Sequence, residues 1–325
     1  MTFEDVPQNP WESPRATELD SMTFATWAGR VARSEAVHGW FMRMTSAYYG
    51  ARAEQISALE ALCKLKYCGG PIFMSDVETG GQSTHLVGSA AVSEGMMAEL
   101  EHVELSSPVR KVEWSENRVV VTTDRGTSSA RYLVCAVSPA MASQIQFDPP
   151  LPAIRRQLHQ RFPSGRYTKV VMIYDRPFWR EKNLNGNVIA TDGSLTSLYD
   201  MGDETTERPI IAGLFGGVAA QGIDELSPQD RRSRVLGLAS RALGPEAAKP
   251  EAYHEQIGAN EEWSAGASSR FMVPGVISTF GSQIRASTGP IHWAGVHMAR
   301  EYRGYMEGAL IAGEDAAKAI LSLEA

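Results

Sequence analysis

The chain has 325 residues, 43% of them hydrophobic, which is enough for one large or two ordinary domains with real cores. Its 31 basic and 38 acidic residues leave a formal charge of −7, with neither an acidic tail nor a basic stripe. That balance excludes nucleic acid as the main partner, because no surface is built to neutralise phosphates.

The first twenty residues, rich in Pro, Asp and Glu, read as extended. Ser21 then suits the cap of a helix running through Trp27 and Val31. A second helix, Ser34 to Tyr48, carries Val37, Trp40, Phe41 and Met44 at helical spacing. A third, Glu54 to Tyr67, sets Ile56, Leu59, Leu62 and Leu65 on one stripe and stops at Gly69-Gly70. A further helix, Ala90 to Leu100, precedes strand-like runs at Val109 to Trp114 and Arg118 to Thr123, joined by a hairpin at Ser115-Glu116-Asn117. The unbroken run Tyr132 to Val137 suits a strand buried on both faces. A basic helix, Ile154 to Arg161, leads to a strand at Lys169 to Tyr174, with more strand pieces near Val188, Ser197 and Ile210. The stretch Pro209 to Ala220 is apolar but glycine-broken and too short to span a bilayer, so it reads as a buried strand and turn. Ser227 opens an amphipathic helix ending by Gly244, whose charge pairs read as a solvated face. The class is α/β, α+β mixed, with interleaved segments and no linker that cuts it into two contiguous domains.

Little of this names a chemistry. Met1 to Asp5 shows no secretory leader, and Ser322 to Ala325 is neither a peroxisomal address nor the end of a membrane anchor. Cys63, Cys68 and Cys135 have no metal-ligand spacing and fit a reducing, cytoplasmic setting. His292 and His297, five apart across a strand end, read as solvated or core side chains rather than metal ligands. No G-x-S-x-G elbow, P-loop or strand–G-x-G-x-x-G–helix unit occurs. The cluster Gly213 to Gly222 has the wrong spacing and no helix pattern directly behind it. The most suggestive stretch is the last. Pro290 to Val296 reads as a buried strand ending at a glycine. Gly304 to Gly308 opens a helix running to Leu321, whose bare N–H groups and positive dipole end suit an anionic or electron-rich ligand.

That tail, Gly304-Tyr305-Met306-Glu307-Gly308-Ala309 after Ala294-Gly295-Val296-His297, resembles the closing signature of the flavin-containing monoamine oxidases, a family of FAD-dependent amine oxidases. The likeness runs along the chain in order. It includes Pro10-Trp11 with Asp20-Ser21-Met22-Thr23, Gly80-Gly81-Gln82, Ser107-Pro108-Val109, Phe147 to Pro152, Lys169, Pro177-Phe178-Trp179 and Trp263-Ser264.

The resemblance implies FAD as cofactor and oxidation of a small-molecule amine to an imine, with O2 reduced to H2O2. It implies catalytic roles for Lys169, which would hold a water beside flavin N5, and for Tyr305, one wall of an aromatic cage. Val109, Gly295, His297, Gly304 and Met306 would contact the cofactor, Met306 through its amide. Gln82, Ser268 and Tyr305 would line the substrate pocket. The implied segments are 1–86 and 159–260 for the substrate domain and 87–158 and 261–325 for the FAD-binding domain.

The departures carry their own expectations. Ala267 stands where some members bond flavin covalently, so the cofactor would be non-covalent. Ser268 replaces the second cage tyrosine, His297 a glutamate, and Gly258 a tryptophan, which widens the pocket. The family's G-x-G-x-x-G segment would precede Pro10-Trp11. The expectation is therefore an incomplete two-domain fold with a bare sheet edge, its dinucleotide-binding part supplied by another chain or lost from the gene model. The alternatives are a non-catalytic relic serving as an interaction module, and a flavin oxidase acting on a bulkier natural product.

Overall fold

The computed structural model describes residues 5–68, 70, 88–190, 192–202, 208–264, 266 and 270–324. Helices and mainly antiparallel strands interleave along the chain, the mixed class that the residues predict. Gln82, Ala267 and Ser268 lie outside the described residues.

The N-terminal segment is helical where extended chain is predicted. A 3-10 turn spans Pro10–Glu12, with Pro10 presetting φ, and α1 spans Ala16–Asp20. Burial of Ala16 and Leu19 stabilises α1 against its poor composition. Asp20 is fully buried and accepts from Ser57 Oγ at 2.6 Å, from Ser278 N–H at 2.7 Å and from Ser278 Oγ at 2.8 Å, tying three segments together. Thr23, not Ser21, caps α2 (Phe24–Val31), accepting from Thr26 N–H at 3.1 Å. Ser21 instead donates back to the Glu18 carbonyl, closing the preceding helix.

Ser34 caps α3 (Glu35–Tyr49), which ends at a left-handed Gly50. Helix α4 (Ala58–Tyr67) starts later than its periodicity suggests, because Ser57 takes the cap position. Every residue from Ala58 to Leu65 is buried, charged ones included.

A four-stranded sheet has the order β3-β2-β1-β5. It comprises β1 (Val109–Ser115), β2 (Arg118–Thr123), β3 (Gly126–Ala130) and β5 (Gln146–Asp148), while β4 (Leu133–Cys135) lies outside it. The predicted hairpin forms, with Ser115 opposite Arg118. Sequence reading misses β3 because its residues are polar and exposed, as an unburied edge strand allows.

Strand β4 is shorter than the run Tyr132 to Val137 and is not buried on both faces, since Val134 and Val137 are each 43% exposed. Among the described residues its one sheet neighbour is β11 (Ile291–Trp293), a parallel and fully buried strand.

An antiparallel five-stranded sheet, β10-β6-β9-β8-β7, holds the middle of the chain. It comprises β6 (Tyr167–Ile173), β7 (Val188–Ile189), β8 (Ser197–Asp200), β9 (Ile210–Gly216) and β10 (Ala252–Ile257). A second hydrophobic core, formed by residues from Val170 to Ala247, packs on it. A helix, Val218–Asp224, does follow the glycines of β9 directly, which corrects the reading of that cluster as helix-free. The helix Pro228–Leu243 is not simply solvated on its charged face either. Arg231 is buried, pairs with Glu255 at 2.6 Å and donates to the Leu226 carbonyl at 2.9 Å, closing the preceding helix. No helix among the described residues is long and apolar enough to cross a membrane.

Candidate active site

The C-terminal stretch forms a strand, a glycine turn and a helix. Strand β11 runs in parallel beside β4, and the chain leaves it through Gly295 at φ +94. A Cβ there would stand 2.7 Å from the Ala136 carbonyl oxygen, so the backbones meet where only glycine fits. Gly304, at φ +90, makes the second turn, and Met306–Glu324 is the closing helix. Its first bond runs from Ala309 N–H to the Tyr305 carbonyl at 3.3 Å. The amides before that bond open on the positive end of the helix dipole. Tyr305 is 39% and Met306 49% exposed at this opening.

Helix α4 supports the turn from beneath. Glu60, Lys64 and Cys68 are four residues apart and so lie on one face. Arg303 Nη1 donates to Glu60 Oε2 at 2.9 Å, and both groups are buried. Lys64 Nζ donates to the Arg303 carbonyl at 2.9 Å and stands 4.1 Å from the centre of the Tyr305 ring. The Cys68 thiol meets the Tyr305 hydroxyl at 3.1 Å. Burial raises the Tyr305 pKa, with Cys68 adding to the rise, so the phenol is neutral. Burial also lowers the Lys64 pKa and raises that of Glu60, which the permanent charge of Arg303 opposes.

The five-stranded sheet presents its own wall. Tyr167 and Lys169 point to the same face of β6, because side chains alternate along a strand. Tyr167 donates to the Ala47 carbonyl at 2.9 Å and is an electrostatic neighbour of Tyr305. Lys169 is exposed on that face, while Thr168, Val170 and Met172 bury the other face of the strand.

Several buried polar atoms have no hydrogen-bond partner among the described residues. They include His297 Nε2 and Arg270 Nε and Nη1, on residues 5% and 8% exposed. Burial first, then the Arg270 charge, pushes His297 down to about 3, so its imidazole is neutral. Arg270 stays charged, although burial lowers its pKa. An uncompensated guanidinium edge inside a protein is costly unless something accepts from it. His292 is likewise buried, packed edge-on to Tyr132, and no cluster of three metal-ligating side chains exists among the described residues.

The structure thus holds Gly295, His297, Gly304, Tyr305 and Met306 in one segment between β11 and the closing helix, and Lys169 is exposed on β6. Val109 stands apart, at the start of β1 and partly exposed. Sequence reasoning missed Glu60, Lys64, Cys68, Arg270 and Arg303. The signal available was a charged stripe at four-residue spacing on a helix already committed to burial by Leu59, Leu62 and Leu65.

An electron-rich group lying against the glycine turn would meet the helix start, the neutral tyrosine and the orphaned Arg270 donors, an arrangement suited to a redox cofactor that gains electrons. The chain belongs to the flavin-containing amine oxidoreductases, whose family model matches residues 2–321. It is 33% identical over 329 residues to the probable flavin-containing monoamine oxidase A of Dictyostelium discoideum, covering 98% of this chain and 71% of that one. It is 32% identical to the flavin-containing amine oxidase A of Equus caballus, covering 98% of this chain and 62% of that one. The solved cyclohexylamine oxidase from Brevibacterium oxydans IH-35A superposes with a TM-score of 0.92 at 33% identity, covering 99% of this chain and 73% of that one. FAD is therefore the expected cofactor, and the orphaned guanidinium donors of Arg270 fit an electron-rich group of that kind.

Proposed function

We propose that the protein is an amine oxidase that uses non-covalently held FAD to convert a small-molecule amine to an imine, with O2 reduced to H2O2. The observation that carries this reading is the position of Tyr305, clamped by Lys64 and Cys68 and partly exposed at the opening of the glycine turn. FAD, when bound, supplies a hydride acceptor and passes two electrons to O2. Each residue has a task around it. The ring of Tyr305 guides the amine, Met306 offers its amide at the helix start, and Gly295 and Gly304 let the backbone approach closely. Arg270 donates from beside the turn, and His297 offers the cofactor a neutral, buried ring nitrogen. Lys169 places a cation and a bound water where oxygen is reduced. Gln82 and Ser268 line the substrate side and Val109 the adenine end.

The segments 1–86 and 159–260 form the substrate part in this reading, and 87–158 and 261–325 the FAD part. The exposed side of β4, with Val134 and Val137, supports further cover of that sheet, from this polypeptide or another chain. Three unpaired, buried cysteines support a reducing, cytoplasmic setting.

The test is the visible spectrum of the purified chain with and without added FAD, followed by oxygen uptake on adding amines. Blue and near-ultraviolet flavin bands with amine-dependent peroxide are the expected result. A chain that folds but takes up no flavin overturns the oxidase and leaves the relic.

A further inference from the structure

A cavity of about 150 Å³ opens beside the helix Ala153–His159, and no residue of the turn at Tyr305 lines it. Ala142, Ile145, Phe147 and Leu151 supply its apolar wall. A cavity of that volume with such walls takes one benzene ring. The helix and its cap contribute three polar side chains, Arg156, His159 and Gln160. They are three and four residues apart, so one face of the helix presents them together.

Their surroundings differ. His159 is 3% exposed and packs edge-on to Trp293 at 4.9 Å, and its Nε2 has no hydrogen-bond partner among the described residues. Burial first, then the charge of Arg155, pushes it down to about 4, so the imidazole is neutral. A buried ring nitrogen is costly to leave unmet. Arg156 is exposed and holds no ion pair or side-chain hydrogen bond among the described residues. Among those residues no carboxylate lines the cavity. Asp148 follows Phe147 but points to the opposite face of β5 and pairs with Lys111 at 3.3 Å. Arg155 is buried and donates to the carbonyls of Ile284 at 3.3 Å and Ala286 at 2.5 Å, so its charge also stands uncompensated.

The cavity thus combines an apolar middle, a neutral buried nitrogen and an excess of positive charge. A planar aromatic anion matches it. A phenol hydroxyl both donates and accepts, so it satisfies the imidazole nitrogen in either tautomer. A carboxylate at the far end of the ring suits the guanidinium at the rim, where the bond is charge-assisted.

We infer that this cavity binds a small phenolic acid, with its hydroxyl on His159, its ring against Phe147 and Leu151, and its carboxylate on Arg156. The site needs no flavin and stands apart from the amine oxidase reading.

The test is calorimetric titration of the full chain with para-hydroxybenzoate, benzoate and phenol. Phenol, which lacks the charged contact, is expected to bind about tenfold more weakly than para-hydroxybenzoate, and benzoate about fivefold more weakly. Arg156→Gln should bring phenol and para-hydroxybenzoate within about twofold, while Arg156→Lys keeps part of the preference. Because Arg156 is exposed and unpaired, the wild-type melting temperature should persist in both variants. His159→Phe should bring benzoate and para-hydroxybenzoate together. If that variant does not fold, the wild-type comparison of the same two compounds still decides the hydroxyl contact. No binding of para-hydroxybenzoate, equal binding of it and either simpler compound by wild type, or a preference over phenol that survives Arg156→Gln overturns the inference.

Discussion

The ammonium of Lys64 sits 4.1 Å from the centre of the Tyr305 ring while its hydrogen bond runs to the Arg303 carbonyl at 2.9 Å. One buried cation thus fixes both the course of the C-terminal turn and the orientation of the aromatic wall that turn presents. The Cys68 thiol holds the opposite end of the ring. Tyr305 keeps an exposed face toward the site because its other edge is clamped by α4.

Replacing Lys64 with methionine keeps most of the buried stem but leaves the Arg303 carbonyl without its donor. The expected loss of stability is about 1–3 kcal/mol, the cost of an orphaned buried polar group. Urea denaturation measures it, and near-ultraviolet circular dichroism should report a reoriented tyrosine. An unchanged midpoint and spectrum would show that the clamp contributes nothing.

Glu60 and Arg303 form a buried pair 2.9 Å apart, and Arg303 also faces the Tyr67 ring. Glu60→Gln leaves a guanidinium buried without a counter-charge, a loss of about 3–5 kcal/mol. Removing both charges with Glu60→Met and Arg303→Met together should cost less than either single change, since no lone charge then remains. A double mutant as unstable as the sum of the singles contradicts this account.

How legible this was in the sequence differs element by element. Helices α2, α3 and α4 announce themselves through apolar spacing, and Ser34 and Gly50 bound α3 as polar cap and glycine stop should. Helix α1 is invisible because its stability comes from Leu19 and from the three donors that meet Asp20, all distant in sequence. The exposure of Val134 is equally unreadable, since six apolar residues in a row imply cover on both faces and cannot say whether the cover is present. In the site, Tyr305 and Met306 were reached through a motif. Lys64 and Arg270 were not, because their roles depend on what the fold brings within four ångströms of them.

Acid should destabilise the protein through its buried histidines. An unfolded histidine titrates near 6.5. Burial first, then the Arg270 charge, pushes His297 down to about 3, and burial with Arg155 pushes His159 down to about 4. Between those values the unfolded chain binds the extra protons, so stability is full above about pH 6.5 and falls as the solution is acidified through that window. Each histidine contributes at most about 1.4 kcal/mol per pH unit. Urea midpoints measured from pH 7 to pH 5 should drop, and His297→Gln should flatten the drop. An identical pH slope in that variant removes His297 from the cause.

Lys169 is exposed on β6 between Gln256 and Leu214 of the neighbouring strands, so Lys169→Met should leave the melting temperature unchanged. If the proposed oxygen role is right, the FAD-loaded variant reacts with O2 at least tenfold more slowly after anaerobic reduction, while reduction by amine is little altered. Stopped-flow spectroscopy separates the two halves. Equal oxygen rates in variant and wild type rule the role out.

Gly295 and Gly304 share a left-handed backbone but differ in what surrounds them, and this difference is itself testable. An alanine at either position bears the strain of positive φ, about 1–2 kcal/mol. At Gly295 the new Cβ also meets the Ala136 carbonyl oxygen at 2.7 Å, and backbone held by β4 cannot move aside cheaply. At Gly304 the contact, 2.8 Å away, is Lys64 Nζ, the end of a long side chain rather than backbone, held by the Arg303 carbonyl and the Tyr305 ring. Gly295→Ala should therefore be the more damaging change to stability. Gly304→Ala should act by displacing Lys64 from the Tyr305 ring, so in a Lys64→Met background it should cost only the strain. Gly295→Ala, which does not involve Lys64, should cost the same in both backgrounds. Equal coupling of both glycines to Lys64 in that cycle would mean the turn moves as one rigid piece, and the clamp on Tyr305 would then not be the separate device described above.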